Sequence, residues 1–392
     1  MRFLPSIVVI SVLSLSSASY AQSTLTLYGV LDEGFMFNNN VTSTSPAGGR
    51  KWYLDSLNGI NGSRWGLKGS EDLGGGNKAI FTLESGMNLN NGALGQGGLM
   101  FGRQAFVGLG SQSYGNVTLG RQYDAIVIYT QPVSIQGYLG SQIFQHPGDI
   151  DNTANSLRAN NAVRYASPSF HGLSFGAEIG IGGVPGSFTT GTGYSAGVSY
   201  ANGPFTLGAG YLYFKNPTAS TPSAGFFTSN ASGTILTGKL NSGYVTANAY
   251  QVASAGATYA LGSALFGVYY SNVQYANISA LGNAAAHFNT VDVGARWTVT
   301  PTIILEAAYV YTKGNSVTSP SGASVGNQHI NQVSLLADYL LSKRTDVYAE
   351  VAFQKASGMS STGTAAVANI GNSGDSSNDH QTLVRVAMRH KF

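Results

Sequence analysis

Gln381–Phe392 reads QTLVRVAMRHKF and alternates to the last residue of the chain. Val384, Val386, Met388, His390 and Phe392 fall on one face; Leu383, Arg385, Ala387, Arg389 and Lys391 fall on the other. A side-chain period of two makes an apolar row on one side of a strand and a cationic row on the other. The pattern recurs upstream. Phe205, Leu207, Ala209, Tyr211 and Tyr213 oppose Thr206, Gly208 and Gly210. Val291, Val293, Ala295, Trp297 and Val299 oppose Asp292, Gly294, Arg296 and Thr298. Val347, Ala349, Val351 and Phe353 oppose Asp346, Tyr348, Glu350 and Gln354.

The chain of 392 residues begins with a segment of a different kind. Met1–Ala21 has Arg2 at its start, a mostly apolar stretch Phe3–Leu15, and small residues at Ser19 and Ala21, the pattern of a cleaved export signal. The apolar stretch is too short and serine-rich for a membrane anchor. The expected mature chain, 22–392, is one domain. Removing Arg2 takes Lys+Arg from 20 to 19 against 17 Asp+Glu, so the mature net charge is +2. That balance shows no basic footprint for nucleic acid. With no cysteine, disulfides, thiol catalysis and cysteine metal sites are excluded.

Only 9% of residues are charged, yet 22 tyrosines and 18 phenylalanines argue against disorder. Beyond the signal no apolar run is long enough for a membrane helix, so a membrane form must cross as strands. Lipid accepts the apolar face of such strands, and a wet lumen accepts charges and glycines. A soluble barrel would turn every strand over. Connection lengths favour the membrane form. Short turns fall at 72–77, 111–116, 166–172, 201–203, 261–263, 300–301 and 341–345. Longer polar stretches fall at 37–59, 88–100, 125–160, 183–191, 215–252, 272–286, 313–328 and 357–380. The expectation is an all-β transmembrane antiparallel barrel of sixteen strands. Around 215–252, Ile235–Leu240 and Tyr244–Tyr250 are also strand-like and would allow eighteen.

Several stretches carry a family likeness. Thr24–Val30 (TLTLYGV), Ser63–Gly75 (SRWGLKGSEDLGG starting at Ser63), Gly102–Leu109 (GRQAFVGL), Gly115–Asp124 (GNVTLGRQYD) and the terminal Arg389–Phe392 resemble trimeric porins of Gram-negative bacteria, most of all those of β-proteobacteria. The likeness is sharp over 24–175 and at the C-terminus. It implies a homotrimer in the outer membrane, in contact with lipid and lipopolysaccharide, inserted by a barrel-assembly machinery that reads Phe392. It also implies that the third long loop, Ala125–Asn160, folds into the pore. There, basic wall residues Arg64, Lys68, Arg103 and Arg164 would face loop acids Asp149 and Asp151. Arg121 and Arg158 join the wall or sit at strand ends. A cation row opposite acids sets a transverse field that favours polar solutes. Three or four cations against two acids lead to an expected weak anion preference.

No cofactor or metal site is expected. Ser70–Lys78 (SEDLGGGNK) lacks the ending of a phosphate loop, and Asp149–Asn155 lacks the spacing of a calcium loop. The six histidines show no metal-ligand spacing and no convincing catalytic partners. The function expected is a passive, water-filled channel for ions and small hydrophilic solutes, not an enzyme. A substrate-specific channel, for oligosaccharides for example, and a barrel used as an enzyme or adhesin scaffold are the alternatives.

Overall fold

Alternating apolar and small polar residues, interrupted by glycine and proline turns, leave long antiparallel strands as the structure these segments can share. A computed structural model describes residues 23–42, 48–217, 236 and 238–392; the export-signal reading of Met1–Ala21 lies outside them. The wall strands are β1 (Thr24–Val41), β2 in two pieces (Gly49–Asp55 and Arg64–Gly74), β3 (Asn77–Gly86) and β4 (Gln104–Ser111). They continue as β5 (Gly115–Gln122), β6 (Ala159–Ala166), β7 (Leu173–Gly180), β8 (Gly193–Asn202), β9 (Phe205–Lys215) and β10 (Ala247–Leu261). The remainder are β11 (Ala264–Ile278), β12 (Ala284–Thr300), β13 (Ile303–Gly314), β14 (Gln328–Leu340), β15 (Thr345–Gly358) and β16 (His380–Lys391). Among the described residues they form a closed antiparallel barrel of 16 strands.

The end of the chain closes the barrel, as its alternation predicts. β16 pairs with β1 from Val30↔Lys391 to Asn38↔Leu383. Gly29 and Phe392 then exchange two backbone hydrogen bonds of 3.1 Å. Val386 and Met388 are 60% and 52% exposed on the outer face, whereas Arg385 is 0% exposed inside. The eighteen-strand alternative is not adopted among the described residues. Ser242–Tyr244 make a 3-10 turn, and Tyr244–Tyr250 enters the wall only from Ala247, as the start of β10.

The loop between β5 and β6 turns into the lumen and replaces water there with protein. Short helical turns at Ile126–Thr130, Gln131–Val133, Ile135–Tyr138 and Gln142–Phe144 carry Ile126, Val133, Ile135, Ile143 and Phe144, all buried. The inward faces of β9 to β12 answer with Leu212, Phe214, Val252, Tyr275 and Phe288 in the same apolar cluster as Ile126. At the other end of the loop, Tyr138 and Phe144 pack with Met36, Val310 and Leu336. Glycines on the inner wall make room for this docking. A Cβ at Gly197 would sit 2.7 Å from Tyr129 Cδ2, and one at Gly294 would sit 3.1 Å from Ile135 Cγ2. One at Gly210 would meet Thr130 Cγ2 at 3.1 Å. Gly197→Val is therefore expected to push Tyr129 off the wall at a cost of about 1–3 kcal/mol. A shifted single-channel conductance would register it; Gly49→Val, where a Cβ meets nothing within 4 Å, should leave conductance as it was.

Candidate pore constriction

Three neighbouring strands, β2 to β4, and the ends of the infolded loop bring charged side chains together. Antiparallel register sets Gly66 of β2 against Glu84 of β3, and Glu84 against Gln104 of β4. Arg64 and Arg103 therefore flank Glu84, while Tyr123 and Arg158 enter from the two ends of the loop. These five side chains line a cavity of about 630 Å³. The infolded loop also contributes Gln131, Gln136, Gln142, Asn155 and Ser156 to the lining.

Glu84 organises the wall. Its carboxylate accepts from Arg103 Nε at 2.7 Å, from the Tyr123 hydroxyl at 2.7 Å and from the Tyr28 hydroxyl at 3.0 Å, with Arg64 Nε at 3.8 Å. The Arg103 and Arg158 guanidinium carbons each lie 5.8 Å from the centre of the Tyr123 ring, a cation–π arrangement that fixes their planes. The charged groups lining the cavity are thus three guanidiniums and one carboxylate.

The other residues singled out from sequence lie elsewhere. Lys68 shares the inner face with Arg64 but stands outside the cavity, its ammonium 5.3 Å from the Tyr28 ring. Arg164 donates to the Tyr123 carbonyl at 3.1 Å and lies against Phe106. Arg121 donates to the Gly102 carbonyl at 2.8 Å.

Asp149 and Asp151 do not face the arginines across the gap; both carboxylates turn into the body of the loop, and neither lines the cavity. Asp149, 1% exposed, accepts from the backbone N–H groups of Ala154 at 2.7 Å and Ser156 at 2.9 Å. Burial, and then the neighbouring Asp151, push its carboxyl up to about 7. Asp151 pairs with His146 Nδ1 at 2.7 Å, and His146 Nε2 reaches Asp292 of β12 at 2.9 Å. The acids hold the loop together and tie it to the wall. The physical reason is local: a loop with backbone N–H groups turned inward needs buried acceptors, and these carboxylates supply them.

Glu84 and Tyr123 are not among the residues the sequence marks for the constriction, and Arg158 is marked there only as one of two alternatives. Glu84 carried a usable signal, since the turn at Gly74–Asn77 sets it two residues from opposite Arg64.

Comparison with known proteins agrees with this architecture. The chain is 38% identical over 169 residues to an outer membrane porin protein of Bordetella pertussis, covering 41% of this chain and 43% of that one. It is 33% identical over 181 residues to outer membrane porin protein 32 of Delftia acidovorans, covering 44% and 48%. The chain thus spans about half the length of the curated relatives it matches. An anion-selective porin from Comamonas acidovorans superimposes with a TM-score of 0.71 at 23% identity, covering 95% of this chain and all of that one. A trimer form of OmpT of Vibrio cholerae gives 0.59 at 14% identity, covering 94% and 99%. At those identities the likeness concerns the fold. A family model described as Gram-negative porin matches residues 7–359. With that match over most of its length, the chain belongs to the Gram-negative porins, proteins of the outer membrane.

Proposed function

We propose that the protein is a passive channel for small hydrophilic solutes, that it prefers anions, and that it catalyses no reaction. The observation that carries this reading is the cavity between the infolded loop and the wall, with Arg64, Arg103 and Arg158 against the single carboxylate of Glu84. A small excess of fixed positive charge beside a narrow wet gap raises the local concentration of anions. The loop side, lined by amides and a hydroxyl, adds polar groups of no net charge. With Asp149 and Asp151 turned inward, the preference rests on the wall alone.

The oligosaccharide-channel reading needs a ladder of aromatics along the path. Tyr244, Tyr250, Tyr275 and Phe288 are instead buried under loops, and Tyr123 is the one aromatic among the residues lining the cavity. A homotrimer fits the apolar outer wall and the trimer form of a protein of the same fold. Contacts with lipopolysaccharide and with the assembly machinery, through Phe392, belong to the same proposal. Planar-bilayer recording of the purified protein is expected to show ohmic current steps that do not saturate with salt. A folded protein without conductance would exclude the channel and favour a scaffold role.

A further inference from the structure

Strand β2 leaves the sheet in mid-wall. Asp55 pairs with Gly34 and Arg64 with Val30, so eight residues of β2, 56–63, stand where β1 has three. A common bulge adds one residue; this excursion adds five. The surplus turns into the lumen, where Leu57, Ile60, Asn61, Gly62 and Ser63 line the cavity opposite Gly137 and Gly140 of the infolded loop.

One guanidinium ties this excursion to its surroundings. Arg385 of β16, 0% exposed, donates through Nη2 to Asp32 Oδ1 and to the Asp55 carbonyl, both at 2.9 Å. Its Nε lies 3.5 Å from Asp55 Oδ1, and its Nη1 lies 3.4 Å from Glu350 and contacts the Tyr348 hydroxyl. Each of these partners then grips an infolded segment. Asp55 accepts from the N–H and the side-chain amide of Asn58 at 2.7 and 2.9 Å. Asp32 accepts from the Asn61 N–H at 3.1 Å, and the Tyr348 hydroxyl accepts from the Ile60 N–H at 3.1 Å. Glu350 accepts from Ser141 at the tip of the infolded loop.

The segments also hold one another. The Gln142 N–H donates to the Gly59 carbonyl at 3.0 Å, and the Asn372 N–H donates to Asn58 Oδ1 at 2.6 Å. Gly59 itself has no space for a side chain, because a Cβ would enter the Asp32 carboxylate.

We propose that residues 56–63 are a second jaw of the constriction and that Arg385 is the positioning residue that holds it against the infolded loop. The proposal rests on the channel reading above. Arg385 touches no solute; it acts through Asp55, Asp32 and Tyr348. Without it, three carboxylates lose their shared cation and the surplus chain is free to withdraw from the lumen.

Arg385→Met and Tyr348→Phe test this, with single-channel recording and liposome swelling in sugars of increasing size. Both variants are expected to raise conductance by about 1.5- to 2-fold, because the narrowest cross-section limits flow. Both should also admit sugars that the wild type excludes, with Arg385→Lys intermediate. Glu306→Gln, which changes a buried wall carboxylate away from the jaw, should keep the wild-type cut-off. If Arg385→Met does not fold, Tyr348→Phe decides alone, since it removes one hydroxyl and keeps the ring. Wild-type conductance and cut-off in a folded Tyr348→Phe barrel would overturn the proposal. A wild-type protein that conducts nothing would instead remove the channel reading beneath it.

Discussion

Replacing both Arg103 and Arg158 with glutamate is expected to reverse the proposed anion preference and leave a channel that prefers cations. Three guanidiniums less one carboxylate give the cavity lining a fixed charge of +2; after the double change, one guanidinium and three carboxylates give −2. At about 7 Å through water each unit charge acts on a passing ion with roughly 0.6 kcal/mol, reduced by salt. Four units of change should therefore move the anion-to-cation permeability ratio by about tenfold or more at low salt. The neutral pair Arg103→Gln and Arg158→Gln leaves Arg64 against Glu84 and should abolish the preference without reversing it. Zero-current potentials of the three proteins in one salt gradient make the comparison. A double glutamate variant that still prefers anions would mean that the selective point lies elsewhere in the barrel.

His146→Leu should loosen the infolded loop more than any change on its surface. His146 is 0% exposed and joins Asp151 of the loop to Asp292 of the wall, with the Tyr269 ring alongside and the Ser271 hydroxyl on Asp151. Removing the imidazole leaves two carboxylates facing each other in a dry site, a loss of about 3–5 kcal/mol in anchoring. The expected outcome is a noisier channel with excursions to higher conductance. Burial works against the charge on His146, and Asp151, with hydrogen bonds to both carboxylates, overcomes it and pushes the imidazole up to about 10.

The sign of the pH effect follows. A raised histidine stabilises fully below its ordinary range near 6.5 and loses that contribution as pH passes about 10. Asp149, raised to about 7, acts in the same sense, its contribution full below the ordinary carboxylate range and lost as pH rises through 7. Wild-type noise should grow from pH 6 to 10, and His146→Leu should lose the upper part of that rise. A flat wild-type profile would argue against His146 as an anchor.

The wall of this protein is legible in its sequence because lipid imposes one rule on every strand. Val384, Val386 and Met388 had to face outward once Arg385 and Arg389 faced inward, and the strand count followed from the turns. The lumen obeys no such rule. Alternation places Asp292, Glu350 and Arg385 inside, but inside includes both wet cavity and dry contact with the infolded loop. All three proved to be buried partners of loop or jaw. Asp149 and Asp151 misled for the same reason: a carboxylate on an infolded loop can face solute or its own backbone, and the local turns 147–156 decide. The jaw was hidden for another reason. Residues 37–59 are read as one polar loop, whereas β1 runs to Val41 and β2 resumes at Gly49, with the polar excursion displaced to 56–63.

On the proposed reading the wall arginines, with no facing loop acids, set the selectivity. The zero-current potential of the wild-type protein across a planar bilayer in a KCl gradient tests it most directly. The expected potential has the sign of chloride selectivity and shrinks as salt rises and screens the wall. A potential of the opposite sign, showing potassium preference, would contradict the account.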